Sequence, residues 1–153
     1  MGLVTPGENS PFCGGTIITS HHILTAAHCT LDSHTENIKD PSSIQVLVGM
    51  HETTDSMVDR RDVLIITQHP QFRNGNYDVA ILTLTSHITF TSSASPICLP
   101  SSIHSMYTDQ VATVTGWGLT SSDGSASPTL QEVEVIVTSN EECSDIYPGK
   151  IEE

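Results

Sequence analysis

Apolar residues along this chain come in short bursts broken by turn formers, a pattern of strands rather than helices. Ile44-Gln45-Val46-Leu47-Val48 has period-two character, as expected of a strand with one face in a core. Thr16-Ile17-Ile18-Thr19 and Ile23-Leu24-Thr25 are short β-prone runs separated by Ser20-His21-His22. Val63-Leu64-Ile65-Ile66-Thr67 and Val79-Ala80-Ile81-Leu82-Thr83-Leu84 are nearly continuous apolar runs, which predicts strands buried on both faces. Past the proline-marked segment Pro96 to Pro100, Val111-Ala112-Thr113-Val114-Thr115 and Val133-Glu134-Val135-Ile136-Val137 predict two more strands. Ser121-Ser122-Asp123-Gly124-Ser125 between them is a turn cluster. Residues 31–43 form the longest polar loop, and no internal repeat is present. Short strands with turn signals between them predict an all-β sandwich or barrel.

Composition narrows the chemistry. The chain has 153 residues, enough for one ordinary domain with a real core, and is 37% hydrophobic with 10 Gly and 8 Pro. Its net charge of −13 argues against nucleic acid and anionic membrane surfaces as partners. No apolar run approaches the ~20 residues that span a bilayer. The opening Met1-Gly2-Leu3-Val4-Thr5-Pro6 lacks the positive segment and longer apolar core of a signal peptide. Four widely spaced cysteines, Cys13, Cys29, Cys98 and Cys143, include no C-x-x-C pair, so zinc is a poor reading. Composition alone leaves them as inert buried thiols or as disulfide partners.

The segments that carry chemistry occur in a fixed order. Phe12-Cys13-Gly14-Gly15-Thr16-Ile17-Ile18 precedes Thr25-Ala26-Ala27-His28-Cys29, and Tyr77-Asp78-Val79-Ala80-Ile81-Leu82 places Asp78 fifty residues after His28. Pro96-Ile97-Cys98-Leu99-Pro100 and Thr115-Gly116-Trp117-Gly118 follow. In this order and spacing the chain resembles the trypsin/chymotrypsin-like serine endopeptidases over essentially its whole length. The resemblance implies an all-β, trypsin-like double antiparallel β-barrel. Residues 1–100 would form a nearly complete six-stranded first barrel, and residues 101–153 the incomplete start of a second. His28 and Asp78 would be catalytic: Asp78 accepts from the Nδ1–H of His28 and fixes the tautomer, leaving Nε2 as the base. An aspartate opening an apolar strand would cost several kcal/mol if buried without such a partner. The resemblance also implies a Cys13–Cys29 disulfide, closing a loop worth roughly 3 kcal/mol. Such a bridge persists only in oxidising compartments, hence a secreted, extracellular protein.

The same comparison implies absences. Neither the family's Ile/Val-Val-Gly-Gly terminus nor its Gly-Asp-Ser-Gly-Gly-Pro nucleophile segment occurs, and Ser86, Ser95 and Ser139 read as ordinary strand-end or turn residues. The expectation is a piece of an endopeptidase, ending at Glu153 and inactive alone. Its partners would be protein or peptide substrates and protease inhibitors, with no cofactor and no metal. Cys143 would lack its partner, and Cys98 resembles a position that in many relatives bridges to an upstream segment and in others pairs within the protease domain. The competing reading is a non-catalytic homologue acting as a secreted binding protein, against which the intact His28 and Asp78 weigh. The remaining histidines read as surface residues; His21 and His22 would point to opposite strand faces and make a poor metal pair. Glu52, Asp55 and Asp59 fall where some relatives carry a calcium loop, but read as a solvated face.

Overall fold

The structure, a computed structural model, describes residues 1–55, 57–73, 75–101 and 106–151, so the chain end at Glu153 lies outside the described residues. It divides into two units, Met1–Leu99 and Pro100–Glu153. The first is built on β1 (Gly2–Val4), β2 (Cys13–Gly14), β3 (Thr16–Ile17), β4 (His22–Thr25), β5 (Gln45–Val48), β6 (Asp59–Gln68) and β7 (Ala80–Leu84). All pair antiparallel in one sheet of order β2-β1-β5-β6-β7-β4-β3. The two outermost strands are consecutive in the chain, separated only by Gly15, so the sheet curls until its edges meet in a nearly closed barrel.

Gly15 explains why seven strands stand where six were expected: β2 and β3 are one chain segment interrupted at this residue. A Cβ there would lie 2.9 Å from Ile23 Cγ2 and 3.2 Å from the Leu24 carbonyl oxygen. Only a residue without a side chain lets the segment cross β4 so closely. Inside the barrel, Leu3, Ile17, Ile23, Cys29, Ile44, Val46, Val48, Val63, Leu82, Leu84, Ile88 and Ala94 form one buried cluster.

Two apolar runs are not buried on both faces as their composition suggests. Along β7, Ala80, Leu82 and Leu84 are buried while Ile81 and Thr83 are half-exposed, the alternation of a one-sided sheet. β6 does double service: Asp59–Asp62 pairs with β5, and the stretch after a bulge between Val63 and Ile65 pairs with β7. The extra residue turns the strand round the barrel corner and leaves Leu64 and Ile65 56% and 50% exposed.

In the second unit β8 (Val111–Gly116) and β9 (Gln131–Ile136) make an antiparallel pair with Val111 opposite Ile136. Trp117, just beyond β8, is 8% exposed. Val133, Val135 and Ile136 on β9 are exposed. A short helix, α1 (Asn140–Ile146), adds to the expected strands and turns. Ser139 accepts from the Glu142 amide while the Glu142 carboxylate accepts from the Ser139 amide, and Glu141 and Glu142 face the positive end of the helix dipole.

Candidate active site

His28 sits on a single 3-10 turn, Ala27–Thr30, immediately after β4. Ala27 and Cys29 are buried in the barrel wall, which faces the intervening His28 side chain outward at 62% exposure. Thr30, fully buried, donates its hydroxyl to the Ala27 carbonyl at 2.8 Å. From the end of β6, Gln68 Nε2 donates to Thr30 Oγ1 at 2.8 Å and to the Ala27 carbonyl at 3.3 Å. These bonds satisfy polar groups that would otherwise be costly to bury, and they tie the turn to β6. The Cys13–Cys29 disulfide, with Cα atoms 6.1 Å apart, ties it to β2.

Asp78 arrives from the other side of β4, two residues before β7. Its neighbour Tyr77 has φ 52°, in the left-handed region, and the Val79 amide donates to the Tyr77 carbonyl at 2.8 Å, closing a three-residue turn with Asp78 at its apex. The carboxylate then meets His28 twice. Its Oδ1 accepts from the His28 backbone amide at 2.8 Å, and its Oδ2 lies 2.6 Å from Nδ1. Residues fifty apart in sequence are thus joined by a two-point contact that fixes both the imidazole and the turn it sits on.

The electrostatics follow. Desolvation of the 27%-exposed Asp78 raises its pKa. The hydrogen bonds from the His28 ring and amide, the His28 charge and the Ala27 amide together outweigh it, and the carboxyl titrates below its ordinary value. An ionised Asp78 accepts the Nδ1 proton, so the neutral ring carries its lone pair on Nε2. That atom lies 3.6 Å from Cys29 Sγ, a half-cystine sulfur with no proton to give, and so stays free to take one from elsewhere.

Cys13, His28 and Cys29 also place three ligand-type atoms within 4.8 Å of one another. The disulfide consumes both thiolates that a metal would need, so the geometry belongs to the bridge. Cys98, exposed, and Cys143, half-buried, are free. Among Glu52, Asp55 and Asp59, Asp55 accepts from the His51 and Glu52 amides and Asp59 pairs with Arg61, contacts that hold the chain locally. His21 stands beside His87, with ring centroids 5.9 Å apart, rather than facing His22, whose Nδ1 is bonded to Thr19 Oγ1. Thr30, Gln68 and the left-handed Tyr77 were not legible as site residues; nothing in a lone Thr or Gln marks it as the anchor of a turn.

Residues 2–153 match the trypsin family. A venom serine protease of Polistes dominula is 34% identical over 145 residues, covering 92% of this chain and 51% of its own. The proclotting enzyme of Tachypleus tridentatus is 33% identical over 151 residues, covering 92% of this chain and 40% of its own. The chain therefore spans about half, or less, of the length of these relatives. Among solved structures, neuropsin, a serine protease expressed in the limbic system of mouse brain, superposes with a TM-score of 0.82 at 25% identity. The match covers 99% of this chain and 65% of that one.

Proposed function

Because the chain belongs to the trypsin family, we propose that it supplies the general-base half of a secreted serine endopeptidase. The observation that carries this reading is the two-point contact of Asp78 with the ring and amide of His28. In the proposed reaction Nε2 takes the proton of a serine hydroxyl as its oxygen attacks the peptide carbonyl. The imidazolium formed is stabilised by Asp78, which stays ionised, and His28 then protonates the leaving amine.

The serine is proposed to come from polypeptide outside these residues. The Gly-Asp-Ser-Gly-Gly-Pro segment does not occur in the sequence. Among the described residues no serine hydroxyl is hydrogen-bonded to the His28 ring. The oxyanion donors are proposed to come with that same segment. The 153 residues alone are therefore proposed to be catalytically silent, with residues 1–100 as the first barrel and 101–153 as the start of the second. Substrates would be proteins or peptides, and inhibitors of this enzyme class would compete at the same cleft. Exposed Cys98 would carry a disulfide to an upstream segment. The Cys13–Cys29 bridge supports an extracellular setting, and no helix among the described residues is long and apolar enough to cross a membrane.

The test is to fold residues 1–153 oxidatively and expose them to mixed fluorogenic peptides and a fluorophosphonate probe. Neither turnover nor labelling is expected. Labelling lost on His28→Ala would reveal a nucleophile within these residues and overturn the proposal that it lies elsewhere.

A further inference from the structure

The turn that presents Asp78 depends on a residue outside the His28–Asp78 pair. Tyr77 is an aromatic residue in the left-handed region, a conformation that costs an L-residue with a large side chain and that asparagine or glycine takes more readily. Something must hold it there. The His69 ring lies flat against the Tyr77 ring, with centroids 4.8 Å apart and planes 8° from parallel. His69 is itself fixed. Its amide donates to the Val79 carbonyl at 2.9 Å, extending the β6–β7 ladder one rung past Gln68 and Ala80. Its Nδ1 accepts from the Gln71 amide at 3.2 Å, which sets the ring's orientation. The last rung of the ladder therefore carries a rigid aromatic plate, and the half-exposed Tyr77 leans on it.

From this geometry we infer that His69 is a positioning residue. By stacking on Tyr77 it holds the left-handed backbone that aims the Asp78 carboxylate at His28. The significance of this for catalysis rests on the function proposed above; the geometry itself does not. Loss of the stack should free Tyr77 to leave the left-handed region, swing the apex of the turn, and lengthen or open the bond from Nδ1 to Oδ2. The ring face, not the imidazole's acidity, is the working part.

The experiment is proton NMR on the 153-residue chain, following the water-exchange rate of the His28 Nδ1 proton relative to amides of the β4–β7 ladder. In His69→Ala that exchange should quicken by about two- to twelvefold, the range of equilibrium that one aromatic pair controls, while the ladder amides hold their rates. His69→Phe, which keeps a flat ring but loses the bond from the Gln71 amide, should recover most of the parent's slow exchange. In a Tyr77→Asn background, where residue 77 takes the left-handed region unaided, His69→Ala should have no further effect. An unchanged rate in His69→Ala, a failure of Tyr77→Asn to rescue it, or acceleration shared by the ladder amides would each overturn the inference. Absence of peptidase activity in any longer form, with these rates as expected, would instead count against the proposed function alone.

Discussion

Removing the Cys13–Cys29 bridge perturbs the scaffold of the site in a way whose size can be worked out. The bridge closes a loop with a sequence separation of 16, and in the chain-entropy model restricting such a loop in the unfolded state is worth about 3 kcal/mol. Cys29 lies in the core cluster, but replacement by alanine removes only one sulfur atom there, so the cavity adds little. The comparison is between Cys13→Ala/Cys29→Ala and its parent, both with Cys98 and Cys143 replaced by serine to prevent exchange. With a urea slope of about 1–3 kcal/mol per molar for a domain of this size, the unfolding midpoint should fall by roughly 1–3 M. Because Gln68 and Thr30 pin the histidine turn independently of the bridge, the folded variant should retain the bond between His28 and Asp78. A loss below about 1 kcal/mol, well under the chain-entropy value, would contradict a bridge that acts by restricting the unfolded chain. So would disappearance of the His28–Asp78 bond in the folded variant, since it would mean that the bridge shapes the native site.

Other consequences can be checked with less effort. Asp78 has a depressed folded pKa, so its contribution to stability is fully present above the ordinary carboxyl value near 4 and is lost as pH falls through the folded value. Urea midpoints of the parent and Asp78→Asn should therefore differ at pH 7 and draw together as pH falls from about 4 through the folded value; a gap that does not narrow over that range would refute the pairing. Gly15→Ala should destabilise the first unit by about 1–3 kcal/mol, the usual cost of overpacking, since the new methyl meets Ile23 and a backbone oxygen; a neutral variant in the same denaturation would contradict the close crossing. Thr30→Val should cost about 1 kcal/mol by removing one of the two acceptors of the half-buried Gln68 amide, with the loss reduced in Gln68→Leu/Thr30→Val when the double-mutant cycle is closed.

What was legible in the sequence was whatever a local motif encodes. T-A-A-H-C and Y-D-V-A-I-L carry the turn and the strand approach within a few residues, and β4, β5 and β7 follow from apolar runs of the right length. Burial on one face or two was not legible. Val63–Thr67 reads as continuous, yet the bulge and the change of partner along β6 are set by barrel closure, which no local pattern contains. α1 was too short to show periodicity, although Ser139-x-x-Glu142 is a readable capping box. The supports of the site were illegible for the same reason as the bulge: Gln68 reaches Thr30 across 38 residues, and His69 reaches Tyr77 only because the ladder folds back. The chemistry sits in motifs; its anchoring sits in the topology.

The role proposed for His28, the general base of a serine endopeptidase oriented by Asp78, requires a serine nucleophile. It is tested most directly by comparing parent and His28→Ala forms of a polypeptide that carries these 153 residues together with a Gly-Asp-Ser-Gly-Gly-Pro segment, by peptide turnover and by mass mapping of a fluorophosphonate label. A label on that segment's serine is expected in the parent, and a loss of turnover of about a hundredfold or more without His28. Turnover undiminished in His28→Ala, or a label mapping to a serine within residues 1–153, would contradict it.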